Sequence, residues 1–282
     1  MNTNQHLETY GYAVEKGIVD VDECIKMADI LDELEEQHTK TGEISSKTDT
    51  QVTIDNIHIL RPDIFLSKIS VPKIIDTAST VLRDQIILSS FNASRSVGPN
   101  GGKMPHIDAR MPIQDFSNSV QLVCTICLDD FTIRNGATNV WPLSHKSGEN
   151  IPENNEGDMP GKISVTAPRG SVIYFVAQLW HDVGPNLDGN RRWGIHAVYS
   201  RWWIKPVYDF IFCGADIYNK LTLQQKILFG FNSVPPRPGG KRRYTRTRTE
   251  DIPSDYNETL QWVISPDYSD TISHIKDYKR KN

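Results

Sequence analysis

The chain has 282 residues, 38% of them hydrophobic and 23% charged, with a formal net charge of -4. This composition excludes a disordered chain and offers no polycationic surface for nucleic acid, and it leaves room for one large core. No apolar run approaches the roughly 18 residues of a membrane span, and MNTNQHLETYGYAVEKG has no basic segment leading into an apolar one. The expectation is a cytoplasmic protein with neither a membrane nor a nucleic-acid partner.

In chain order, DVDECIKMADILDELEEQ opens with Asp20 and carries Glu23 three residues on, a helix N-terminal pattern. Cys24, Met27, Leu31 and Leu34 then share one helical face. VPKIIDTASTVL predicts a second helix with Pro72 in its first turn. From about residue 85 the texture changes to stretches rich in Val, Ile, Thr and aromatics: QIILSSFNASRSV, SVQLVCTICLDD, ISVTAPRGSVIYFVAQLWHDVG and RRWGIHAVYSRWW. Gly, Asn and Pro clusters separate them, which predicts strands. LTLQQKILFGF restores a helix, and the basic run Lys241–Arg248 reads as a solvated tail, with an anion-binding arm as the rival reading.

The pattern predicts one domain over 1–282, mainly β with flanking helices. Its parts are a helical segment over 8–84, a jelly-roll or sandwich core over 85–205, and a C-terminal helix and tail over 206–282. Of the cysteines Cys24, Cys124, Cys127 and Cys213, the pair in VCTIC is spaced like a zinc or redox motif. On a strand, however, residues three apart face opposite sides, so buried free thiols in a reducing compartment are expected.

KMPHIDARMP puts His106 and Asp108 two positions apart, on one face of an extended segment. His181, at the end of the apolar run YFVAQLW, is the strongest third partner, with His196 its rival. Two histidines and one carboxylate on one face of an octahedral ion leave three positions open, the pattern of non-haem Fe(II) oxygenases. Zinc, with four ligands, would keep one open position. Arg192 follows His181 across a turn and can grip a carboxylate with two parallel hydrogen bonds; Arg191 is the adjacent rival, since a one-residue slip reverses the face. His145 reads as a turn-ordering residue, Asp129 and Asp130 as a strand-end pair, and Trp141, Trp180 and Trp193 as packing.

The blocks PHID, DDFTIRNGATNVWPLSHKSGE, GSVIYFVAQLWHDVGPN…RR and LTLQQKILFGFNSVPPRPG, in that order, resemble the phytanoyl-CoA dioxygenase family of Fe(II)/2-oxoglutarate-dependent oxygenases. The resemblance runs from roughly residue 8 to residue 240. It implies a double-stranded β-helix, a cupin-like jelly-roll barrel, with iron held by His106, Asp108 and His181. It implies further that Arg192, with Thr138 and Lys103, binds 2-oxoglutarate, and that O2 is the oxidant. The implied reaction is hydroxylation of an unactivated C–H bond of a small molecule, with natural-product metabolism the first choice. Desaturation, epimerisation or rearrangement would follow the same hydrogen abstraction. A metal-dependent cupin-type enzyme without 2-oxoglutarate is the second reading, and a non-catalytic ligand-binding barrel the third. Asp108 speaks against halogenation, because its carboxylate takes the position a halide needs. Met104, Arg110 and Met111 are expected on the substrate wall beside the polar loop Gly148–Gly161, and Gln51 in the poorly matched N-terminal stretch is a further substrate candidate. The oligomeric state is left open, a homodimer included.

Overall fold

The computed structural model describes residues 1–41, 45–101, 105–109, 118–148, 151–152 and 159–231. Lys103, Met104, Arg110 and Met111, most of the 148–161 loop and the basic run lie outside the described residues.

The chain begins with α1 (Thr3–Tyr10) and β1 (Tyr12–Glu15), followed by α2 (Val21–Thr41). Asp20 caps α2 as its spacing predicts: its Oδ1 accepts from the backbone N–H groups of Asp22 (2.9 Å) and Glu23 (3.1 Å). Cys24, Met27, Leu31 and Leu34 form the helix's buried stripe. Next come β2 (Ser45–Lys47), β3 (Gln51–Asp55), the one-turn helices α3 (Ile57–Leu60) and α4 (Pro62–Phe65), and α5 (Pro72–Leu82), with Pro72 in its first turn. The core strands are β4 (Ile86–Ser96), β5 (Gln121–Cys127), β6 (Thr138–Val140), β7 (Ile163–Val165), β8 (Val172–Val176), β9 (His181–Val183) and β10 (Trp193–Arg201). The short helices α6 (Ala215–Tyr218) and α7 (Leu223–Leu228) follow.

Two antiparallel sheets result: seven strands in the order β1-β8-β5-β10-β4-β3-β2, and three in the order β7-β6-β9. The fold is mainly β with flanking helices, a double-stranded β-helix of the jelly-roll type. The stretch 8–84 is not helix alone. It also supplies β1, β2 and β3, which extend the large sheet on both edges. Their brevity hid them from the periodicity of the sequence.

The large sheet is covered on one face by α1, α2, α3, α5 and α7. Strand alternation sends Val52, Ile54, Leu122, Cys124, Ile126, Ile195, Ala197 and Tyr199 to that face, all buried. Each large aliphatic among them contributes roughly 1.5–3 kcal/mol by leaving water. The intervening positions face the space between the two sheets. All four cysteines are buried free thiols, and burial pushes the Cys124 and Cys127 thiols well up.

No helix among the described residues is long and apolar enough to cross a membrane.

A candidate metal and keto-acid site between the sheets

His106 and His181 sit directly opposite each other in an antiparallel bridge. The His106 N–H donates to the His181 carbonyl (2.9 Å) and the His181 N–H to the His106 carbonyl (3.0 Å). Directly opposed residues project their side chains to the same side, and the two imidazole rings lie 4.3 Å apart, centroid to centroid. Asp108, two residues on, is fixed by its own N–H to the Ala177 carbonyl (2.9 Å). Its carboxylate oxygens reach 3.6 Å from His106 Nε2 and 3.5 Å from His181 Nε2. One donor atom from each of the three residues falls within a 4.8 Å cluster.

His181 Nδ1 lies 2.9 Å from the Leu179 carbonyl. A proton on Nδ1 satisfies that carbonyl and turns the Nε2 lone pair toward Asp108. Burial lowers the His181 pKa, against the pull of Asp108, so the ring stays neutral as a metal ligand must be. The donor set of two imidazoles and one carboxylate suits a first-row divalent ion with open positions better than a closed four-ligand zinc site.

Arg192 is 1% exposed. Its Nη2–H donates to Thr138 Oγ1 (3.2 Å), and the guanidinium carbon lies 3.8 Å from the centroid of the Phe131 ring. Its Nε is buried without a hydrogen-bond partner among the described residues. Burial pushes the guanidinium pKa down to about 10, which leaves it charged at neutral pH. A buried, charged donor of this kind calls for an anionic acceptor, and a cosubstrate carboxylate fits. Phe131 rests over Gly194: a Cβ there would meet Phe131 Cζ at 3.0 Å and Thr125 Cγ2 at 3.1 Å. The glycine therefore opens the floor for the ring on which Arg192 lies.

The neighbouring Arg191 turns the other way. It pairs with Asp29 (2.6 Å), Asp32 (2.8 Å) and Asp129 (3.2 Å), so its donors are engaged between α2 and the sheet. His196 faces the same space as Arg192 but lies outside the three-residue cluster. Its Nε2 is 2.8 Å from Ser94 Oγ and its Nδ1 2.9 Å from Thr125 Oγ1. Burial and the Arg192 charge lower its pKa to about 4. His145 is buried near Gly11 and Leu179, away from the cluster, and its ring lies close to the backbone of Glu8 in α1. Asp129 anchors Arg169, Arg191 and the Trp193 N–H, and Asp130 accepts from the Arg169 N–H.

The three-residue cluster, Arg192, Thr138, Gln51 and His196 all line one cavity of about 520 Å³. Several of its walls escaped the sequence reading: Thr53, Asn92 and Thr125 from the large sheet, and Lys205, Val207 and Tyr208 from the segment that folds back after β10. Alternation within β3 and β5 carried the signal for the first and third of these. Nothing local in the sequence marks 205–208.

The sequence matches the profile of the family described as phytanoyl-CoA dioxygenase over residues 7–193, well over half of the chain. The chain belongs to the phytanoyl-CoA dioxygenase family. Within curated proteins, this family member is 28% identical over 143 residues to the dioxygenase af480 of Aspergillus fumigatus, a match covering 49% of this chain and 45% of that enzyme. The chain thus spans just under half the length of that relative. An uncharacterized protein of Mycobacterium bovis is 24% identical over 213 residues, covering 73% of this chain and 77% of the relative.

Among solved structures, the fold resembles the non-haem α-ketoglutarate-dependent epimerase SnoN from nogalamycin biosynthesis. The TM-score is 0.55 at 19% identity, over 73% of this chain and 84% of that one. SnoN has also been solved with Fe3+, α-ketoglutarate and nogalamycin RO. HygX of Streptomyces hygroscopicus, solved with nickel and 2-oxoglutarate, matches with a TM-score of 0.57 at 14% identity, over 72% of this chain and 88% of HygX.

Proposed function

We propose that the protein is an Fe(II)- and 2-oxoglutarate-dependent oxygenase that hydroxylates an unactivated C–H bond of a small molecule, in natural-product metabolism. One observation carries the reading. A His-Asp-His cluster with donor atoms within 4.8 Å shares a cavity with a buried arginine whose Nε has no partner among the described residues. In this assignment His106, Asp108 and His181 hold the metal, which when bound activates O2 for hydrogen abstraction. Arg192 grips the distal carboxylate of 2-oxoglutarate, and Thr138 steadies the guanidinium. Together they fix the cosubstrate's orientation, which is the protein's main contribution to such chemistry. His181 and Arg192 are buried at this site, while His106 and Asp108 stay open to the cavity mouth. Family membership and the fold likeness to 2-oxoglutarate enzymes support the reading.

The likeness to an epimerase favours a second outcome at the same site, hydrogen abstraction without hydroxyl transfer. The first test is oxygen-dependent succinate formation from 2-oxoglutarate by the Fe(II)-loaded protein. It is expected in the wild type and expected to be lost in His181→Ala. If succinate forms equally in both, the metal assignment fails. With a substrate in hand, a product gain of one oxygen marks hydroxylation, and an unchanged mass with inverted stereochemistry marks epimerisation.

A further inference from the structure

Register places four polar residues in a straight row across four adjacent strands. Thr125 on β5 pairs with His196 on β10, His196 with Asn92 on β4, and Asn92 with Asp55 on β3. With strands about 4.8 Å apart, three spacings make a ledge roughly 14 Å wide. Three of the four residues line the cavity, and the fourth, Asp55, accepts a hydrogen bond from the cavity-lining Tyr208 hydroxyl at 2.8 Å. A second tier reinforces it: Gln51 Nε2 donates to Ser94 Oγ (2.7 Å), which lies 2.8 Å from His196 Nε2. These bonds orient the side chains along the ledge.

The opposite face of the same strands is apolar beneath the ledge, with Ile54, Phe91, Ala93, Cys124, Ile126, Ile195 and Ala197 all buried, and its first charge is Arg95, paired with Glu35. The ledge face opens to the cavity, with Asp55, Asn92 and His196 partly exposed, whereas the opposite face is closed by packed helices. Small-molecule cavities are usually lined mostly by apolar side chains with a few polar groups. Here 16 of the 22 described lining residues are polar or charged, and only five of the 16 belong to the metal and keto-acid group His106, Asp108, His181, Arg192 and Thr138. An alkyl chain laid along the ledge would strip water from these groups and return no hydrogen bond.

We propose that the cavity takes a compact polyhydroxylated ring, sugar- or cyclitol-like, seated on the Thr125–His196–Asn92–Asp55 ledge, and does not take an acyl chain or acyl thioester. Val123 and Val198, on the neighbouring tier, offer an apolar surface for the C–H face of such a ring. The proposal deepens the oxygenase reading and rests on it. A site built to hydrogen-bond hydroxyls rejects an analogue lacking them by about 10⁴–10⁵-fold.

The test uses the full chain loaded with Fe(II) and 2-oxoglutarate. Succinate formation is measured as a ratio to each protein's own substrate-free rate. The probes are the methanol–water phase and the chloroform phase of a metabolite extract from the producing cells, with octanoate and octanoyl-CoA as defined acyl probes. Stimulation by the methanol–water phase alone is expected, lowered at least tenfold in Asn92→Leu and in Thr53→Val. Two separate positions guard against one variant that merely misfolds. Stimulation by the chloroform phase or the acyl probes overturns the proposal. So do undiminished stimulation in both variants and a lack of response to every probe while substrate-free succinate still forms. If the wild type forms no succinate at all, the oxygenase reading itself falls.

Discussion

Arg191 and Arg192 are neighbours in sequence with opposite surroundings, and their substitutions should separate cleanly. Removing one member of a buried charge-assisted pair typically costs about 2–5 kcal/mol. Arg192→Ala is therefore expected to raise the 2-oxoglutarate requirement by about thirty- to several-thousand-fold. Arg191→Ala should leave that requirement near the wild-type value and instead lower Tm, because it frees three carboxylates that tie α2 to the sheet. The loss should be modest, on the order of 1 kcal/mol, since the cluster is partly exposed. Titration with 2-oxoglutarate and a thermal melt of each variant decide the matter; equal 2-oxoglutarate responses would remove Arg192 from the assignment.

Two histidines also set a pH dependence at this scale. His58, among the rings of Phe91, Phe210 and Phe229, and His196 both have pKa values lowered to about 4, chiefly by burial. An unfolded histidine takes its proton near 6.5. Between pH 6.5 and about 4 the unfolded state therefore binds protons that the folded state refuses, and stability falls as pH falls through that window. Denaturant melts across it should show the slope, and His58→Phe should reduce it by up to one proton. An unchanged slope would mean that His58 titrates normally in the folded protein.

At the scale of elements, the floor beneath Arg192 depends on a glycine near the start of β10. Gly194→Ala places a methyl 3.0 Å from Phe131 Cζ, and the ring must shift to admit it. The expected result is a higher KM for 2-oxoglutarate with little change in Tm, because the backbone of β10 is unaffected. Phe131→Leu should move KM in the same direction by removing the ring under the guanidinium. A normal KM in both variants would show that Thr138 alone orients Arg192. Strand β10 also shows why sequence reading singled out Arg192 and His196 together. Residues 192, 194, 196 and 198 share one face by simple alternation, and only the hydrogen bonds of the fold divide a carboxylate grip from a ledge residue.

At the scale of the whole molecule, the strands from residue 85 onward were legible because long β-branched runs bounded by Gly, Pro and Asn leave little else to form. His106 and Asp108 were legible as a pair because residues two apart on an extended segment share a face. His181 and Arg192 had rivals in His196 and Arg191 and rested on the family resemblance, since spacing within one strand does not say which strands converge. The three N-terminal strands were not legible, since β1 and β2 are four and three residues long and draw their stability from pairing partners far along the chain. The Thr125–His196–Asn92–Asp55 row was hidden for a related reason. It is a property of register between strands separated by up to about a hundred residues, and single-strand patterns carry no register.

The bridge between His106 and His181 has a consequence for how the protein matures. The two residues come from segments far apart in the chain, so their donor atoms converge only once β9 has docked. What holds them is reciprocal backbone hydrogen bonding, together with the Asp108 N–H on Ala177, and none of it requires an ion. Folding should therefore precede loading, the reverse of a small zinc domain, in which binding drives folding. Chelator-treated protein should keep its sheets and melt cooperatively, with Tm lowered only by the mass-action share that free metal had supplied. It should recover metal at the speed of encounter rather than of refolding. A stopped-flow trace of metal uptake by the chelated protein would show this directly. A slow phase matching the refolding rate would mean that the ion, and not the backbone, closes the seam.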